Sequence, residues 1–381
     1  MKNLIYLCLI LCLFYHCGPK KEIIEKYVED GVEVIVNHLE PYKVEKEASH
    51  LYLEEEFRID TEKEDIMATG LTDINYINVD SEGSIYCLNE KCQENFILKF
   101  NRNGNFVTGF GRKGQGPGEL QMPILPLINS QDEVVVMDQG RRELFFFAKD
   151  GTFIKSISRD ASTIGVFPLE NGNYLMATVI FDPQSDNIME YPFSVFSSDF
   201  KEIKELDRLK FPNYLRGKKQ KATPPGFLWS VTPRNVYFGN EEQGYEIRMY
   251  DLEGNLVRKI KKEYRKVRIP EEYIEEQTEG MSDALRQRIY FPEYFPPFQC
   301  AFPDDKERLY VITNEKGNNP GAYMCDIFNP AGIFITRTSL AGVTETGLIL
   351  LPPIARNDRL YCIEEKESGY RELVVYKMKW E

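Results

Sequence analysis

An all-β, six-bladed β-propeller of four-stranded blades is the fold this sequence predicts, and three observations predict it. A unit of four short apolar strands recurs six times after residue 70. The equivalent second-strand residues Tyr86, Val135, Leu175, Tyr237, Tyr310 and Tyr361 follow one another at intervals of 49, 40, 62, 73 and 51 residues, the repeat length of a propeller blade with two insertions. The last unit lacks its fourth strand, and an isolated apolar segment near the start of the chain can supply it.

Unit one places strands at 72–79, 84–89, 95–101 and 105–110, with Asn103-Gly104 turning the third into the fourth. Unit two starts near Ile124 and continues through 133–138, 143–149 and 153–157. Unit three uses 164–170, 174–180, 192–198 and 202–209, and unit four spans 227–263. Unit five reads 298–304, 308–313, 323–329 and 334–340. Unit six offers 348–356, 359–365 and 372–379, then the sequence ends at Glu381. Leu51 to Ile59 is the strand that closes the ring, because pairing it with the last unit removes an open sheet edge. The long intervals locate insertions at 210–226 and 264–297. The second reads as one or two short helices between blades four and five, with Pro270 in the first turn.

The region before the ring divides in two. Residues 1–17 read as an export signal: Lys2, then twelve apolar-type residues from Leu4 to Tyr15, too few to span a bilayer, then Cys17-Gly18-Pro19. Residues 18–50 are polar and charged and read as a tether, with one short strand at Val32 to Val36. The run ending at Cys17 resembles the lipoprotein signal of bacteria, although Tyr15 and His16 replace the usual small residues. That resemblance implies lipidation at Cys17, a membrane contact through the lipid anchor, and a place in the cell envelope.

A second resemblance covers about 51–381. Gly83-Ser84-Ile85-Tyr86, the Phe100-Asn101-Arg102-Asn103-Gly104 turn and the 109–120 stretch look like the NHL-type six-bladed propellers of bacterial envelope lipoproteins. Units three and five depart at the turn, with Asp199-Phe200 and Ala331-Gly332. The resemblance implies fold and export; propellers host many activities, so it implies no reaction.

Composition narrows the function. The formal net charge of −13 argues against a nucleic-acid partner, which needs a basic footprint. All three histidines, His16, His38 and His50, precede the first complete blade, which excludes a catalytic triad or a histidine-held metal built within the blades. A carboxylate-only site remains open, and the enzyme alternative is a calcium-dependent hydrolase or lactonase with a carboxylate-lined central channel. Asp80, Asp138, Asp251 and Asp326 read as strand-end acids in contact with solvent. Gly109 to Gly114 matches a dinucleotide fingerprint in form only, since Pro117 stands where the phosphate-binding helix should begin. It reads as a flexible connection. Cys87 and Cys362 read as small strand hydrophobes, and Cys87 with Cys92 is a candidate disulfide in an oxidising compartment.

The long loops all fall on the end of the ring that carries the fourth-to-first and second-to-third strand connections, where binding usually resides. A binding or protein-interaction module is therefore the expected function, with no cofactor and with an envelope protein or acidic glycan as partner; a structural envelope subunit is a third reading. The candidate surface combines Arg216, Lys218, Lys219 and Lys221 of the basic stretch with Tyr290 and Tyr294 of the aromatic run at 290–298. Packing of that aromatic run onto the blades is the expectation against which a ligand-stacking role is set.

Overall fold

The computed structural model describes residues 24–91, 94–181, 188–212, 219–319, 321–341, 344–346 and 349–381. Six antiparallel blade sheets lie around a centre lined by their first strands. Blade one is Ile77–Val79, Ile85–Leu88, Ile97–Phe100 and Phe106–Phe110. Blade four is Phe227–Val231, Asn235–Asn240, Glu246–Asp251 and Leu256–Lys262, and blade five is Cys300–Pro303, Leu309–Lys316, Tyr323–Phe328 and Phe334–Leu340. The expected blade count stands.

The core is six apolar clusters, one at each junction between neighbouring blades. The alternation of a strand's side chains explains this. In blade two Phe145 and Phe147 point to the junction with blade one, while Leu144 and Phe146 point to the junction with blade three. In blade five Tyr310 and Ile312 pack towards blade six, and Leu309 and Val311 towards blade four. Both faces are buried, so the middle strands read as unbroken apolar runs.

The tight third-to-fourth turns complete the junctions. Gly151, at φ 87°, lies so close to blade one that a Cβ there would stand 2.6 Å from the Phe110 ring. Gly104 meets Phe57 of the closing strand in the same way, at 2.7 Å. Blade three departs, as its sequence foretold: Phe200 takes the left-handed conformation at φ 60° and stacks on Tyr174 with ring centroids 4.9 Å apart.

Closure follows the expected route. Leu51–Ile59 pairs antiparallel with Arg371–Trp380, from Leu51 opposite Trp380 to Ile59 opposite Leu373. The insertion helices are Glu271–Thr278 and Asp283–Arg286, and Pro270 caps the first from just outside it.

The tether is corrected from Ile24 onward. Glu25–Glu29 and Val32–Asn37 form a hairpin, and its second strand adds in parallel to Leu256–Lys262, extending blade four to six strands. The charges that made the segment look like a tether are its attachment. Glu33 pairs with Arg258 at 2.7 Å and Glu29 with Lys259 at 2.6 Å, while Val34 and Ile35 are fully buried. The buried Asn37 amide donates to the Gly332 carbonyl at 3.0 Å, and its oxygen accepts from Phe334 N at 2.8 Å. Tyr42 then buries its ring at the junction of blades five and six, and the backbone of Ser49 and His50 donates to Glu381 O. Residues 24–50 are thus a strap around the outside of blades four to six. The export signal and Cys17 lie outside the described residues.

Deleting Leu51–Ile59 should leave blade six with an open edge and uncover its share of two junctions. Size-exclusion chromatography and a thermal melt should show aggregation or a large loss of stability; a monomeric deletion variant with the parent melting temperature would contradict the closure.

Candidate functional site

Both insertions connect a fourth strand to the next blade's first strand, so they rise from the same end of the ring. Of the basic stretch, Arg216 and Lys218 lie outside the described residues. Its earlier cations are part of blade three: Arg208 pairs with Glu190 and, at 2.6 Å, with Glu205, and Lys210 reaches Glu190 at 3.4 Å. Gln220–Lys221 then pairs in parallel with Ile289–Tyr290, which ties the two insertions together. Lys219 is exposed at this contact. Lys221 is neutralised by Glu241, with Nζ 2.6 Å from Oε2, and serves as an anchor.

The aromatic run separates by environment. Phe298 is fully buried between blades four and five, edge-on to Tyr245 at 5.6 Å. Phe291 and Phe295 pack edge-on to Tyr273 of the insertion helix, at 6.3 and 5.0 Å. Tyr290 and Tyr294 do not pack in this way, being 45% and 36% exposed. The expected packing onto the blades holds for Phe298; Phe291 and Phe295 pack within the insertion instead, and the two tyrosines placed on the candidate surface stay exposed.

Tyr294 has cations within cation–π range of its ring, Lys266 Nζ at 5.6 Å and the Arg268 guanidinium at 5.9 Å. Arg268 also pairs with Glu293 at 2.6 Å. These cations were missed because the run Arg258 to Arg268, RKIKKEYRKVR, divides between a blade strand and an insertion. The divide is electrostatic as well. Arg258 and Lys259 meet the strap acids, Lys261 reaches Glu246 at 3.5 Å and Lys262 reaches Asp326 at 3.4 Å. Arg265, Lys266 and Arg268 stay exposed. The insertion's first helix carries Glu271, Glu272, Glu275 and Glu276.

Three of the four strand-end acids are buried instead of solvated: Asp80, Asp138 and Asp326. Asp80 Oδ1 accepts from the backbone N–H of Glu82 and Ser84 at 3.0 and 2.8 Å, and its Oδ2 accepts from the Tyr86 hydroxyl at 3.1 Å. Asp138 accepts from the backbone of Gln121 at 2.6 Å and Arg141 at 2.9 Å. Such carboxylates are satisfied turn and loop anchors. Asp326 differs, being held by side chains of two blades: Tyr245 Oη at 2.9 Å, Lys262 Nζ at 3.4 Å and Arg337 Nε at 2.7 Å. Burial pushes the Lys262 ammonium below its ordinary pKa, with Asp326 opposing.

The innermost strands carry no Asp or Glu, and no group of three or more His, Cys, Asp or Glu among the described residues is arranged around a metal position. Those strands therefore offer no carboxylate to a calcium ion. Two histidines are nearer the ring than their sequence positions implied: the strap sets His38 Nδ1 3.3 Å from Glu263 and carries His50 to the outside of blades five and six, while His16 lies outside the described residues. Arg141 pins the glycine-rich loop, donating to the carbonyls of Gln115, Gly116 and Glu119 at 3.0–3.1 Å. Cys87 is a buried thiol that burial pushes up to about 12, and its candidate disulfide partner Cys92 lies outside the described residues.

A family model described as 6-bladed beta-propeller matches residues 56–221. The chain resembles in fold a protein of Bacteroides fragilis named as exported, with a TM-score of 0.52 and 15% identity over 91% of this chain and 99% of that one. It also resembles a member of the duf4221 family from Bacteroides vulgatus, with a TM-score of 0.52 and 14% identity over 88% and 99% of the two chains. No curated protein matches by sequence. Among the described residues no helix is long and apolar enough to cross a membrane.

Tyr294→Ala should change stability by less than about 0.5 kcal/mol, as an exposed side chain, whereas Phe298→Ala should cost about 3–5 kcal/mol. Denaturant titration separates the two; equal losses would place Tyr294 in the core.

Proposed function

We propose that the protein is an exported, lipid-anchored binding module that engages an acidic glycan through the insertion-bearing end of its ring. The pairing of Gln220–Lys221 with Ile289–Tyr290 carries this reading, because it joins the exposed Lys219 to the exposed Tyr290 on one surface. Exposed tyrosines offer faces on which sugar rings stack, and Lys219, Lys266 and Arg268 offer charge to carboxylates or phosphates. A negative net charge does not oppose this, since screening at physiological salt confines each charge's influence to about 8 Å. The likeness to a protein named as exported supports the location, as does the apolar run ending at Cys17. The innermost strands give no carboxylate to support the calcium-dependent lactonase alternative.

Alginate, an acidic polysaccharide, should bind the mature protein in calorimetry, neutral dextran should not, and affinity should fall as salt rises. Lys219→Glu combined with Lys266→Glu and Arg268→Gln should weaken binding at least tenfold without moving the melting temperature, two exposed contacts of ~0.2–1 kcal/mol each being reversed in sign and a third removed. Equal binding by the triple variant at low salt would reduce this surface to a solvated loop. If only envelope proteins are retained on the immobilised wild type, the partner is a protein instead.

Lipidation is tested separately. A fatty-acid analogue fed to expressing cells should label the wild type, and Cys17→Ser should abolish the label. A label that persists would sink the anchor assignment.

A further inference from the structure

Between blades four and five, under the N-terminal strap, lies a cavity of about 370 Å³, within the range of small-molecule sites. Its polar wall includes Lys262, Arg265, Glu315, Arg337, Thr336 and, from the strap, His50. Leu39 and Pro41 of the strap and Met324 of blade five give an apolar wall.

The charges in this wall are not all matched. Arg337 is committed to Glu315 through bonds of 2.9 and 3.1 Å and to Asp326 at 2.7 Å, which compensates Glu315. Lys262, only 5% exposed, has three N–H donors but two acceptors: Asp326 Oδ2 at a stretched 3.4 Å and the Glu263 carbonyl at 3.0 Å. The Phe334 and Tyr245 rings, with centroids 4.5 and 5.4 Å from Nζ, contribute only their π faces. A buried ammonium with an incomplete set of acceptors is costly, and an entering anion would complete it. Three residues further on, the exposed Arg265 has no ion-pair partner among the described residues.

We infer that this cavity binds a small organic acid, with a carboxylate or phosphate head between Lys262 and Arg265 and a short apolar body against Leu39, Pro41 and Met324. The exposed Glu40 on the rim would repel a second acidic group, so the ligand carries a single acidic head group. This reading uses Lys262 and Arg265 and none of Lys219, Lys266, Arg268, Tyr290 or Tyr294, so its test is independent of the glycan test.

The test measures binding of octanoate, octyl phosphate and neutral octyl glucoside to the mature chain by calorimetry and thermal shift. At least one of the two acids should bind and raise the melting temperature, and the preferred one identifies the head group; octyl glucoside should do neither. Arg265→Ala removes an exposed side chain, so it should leave the ligand-free melting temperature unchanged and weaken the acid roughly tenfold, the loss of one charge-assisted hydrogen bond. Met324→Trp, filling the cavity, should abolish binding in protein that still melts cooperatively. Absence of binding by both acids, equal binding of the neutral amphiphile, or acid binding unaffected by Arg265→Ala would each overturn the inference.

Discussion

No blade of this ring has a core of its own, and that constraint governs the rest of the structure. A middle strand sends alternate side chains to opposite junctions, as Phe145 and Phe146 do, so each blade is stable only between two neighbours. A linear array would leave two apolar faces in water. Pairing Leu51–Ile59 with Arg371–Trp380 removes both ends at once, because Ile59 enters the cluster between blades six and one, and Leu51 and Leu53 flank the cluster between five and six. The turn glycines serve the same constraint. A side chain at Gly104 or Gly151 would hold neighbouring blades apart at the place where the ring must be tight.

The strap alters the electrostatics of the site without belonging to it. The outer strand of blade four carries Arg258, Lys259, Lys261 and Lys262, a cationic edge that would otherwise dominate this side of the molecule. Glu33 and Glu29 neutralise the first two, Glu246 faces the third, and Asp326 of the next blade takes the fourth. Arg265 and Lys266, which have no such partner among the described residues, lie just past the end of that strand, where the chain leaves the blade. The surface charge is set less by composition than by which acids the fold brings alongside.

What was legible in the sequence was what depends on local pattern. Strand runs, turn glycines and the missing fourth strand each concern a few consecutive residues, and blade count and closure follow from them. The hairpin at 25–37 was half legible, its second strand showing as VEVIVN, but a parallel partner more than two hundred residues away leaves no local trace. The acids were misread for a related reason. Asp80 at a turn looks solvated until Tyr86 folds over it, and Asp326 requires Lys262 from another blade. The aromatic run at 290–298 could not be divided into packed and exposed rings by spacing, because irregular backbone broken by Pro292, Pro296 and Pro297 has no period.

The two insertions are fixed first to each other and only then to the ring. Their mutual contact is a two-residue parallel pairing, fastened beneath by Lys221 on Glu241 and by Phe298 in the junction of blades four and five. Loop closure costs only about 0.6 kcal/mol for each doubling of length, so loops this long are inexpensive to carry, but a loop that is merely closed is not ordered. Order comes from the anchors, and the anchors use the inner residues, Lys221 and Phe298, leaving the outer ones, Lys219 and Tyr290, unspent on folding. A surface built this way can exchange its outer side chains without disturbing a blade. That separation of anchor from display lets a rigid ring of closed junctions carry a binding end whose chemistry the blades do not dictate.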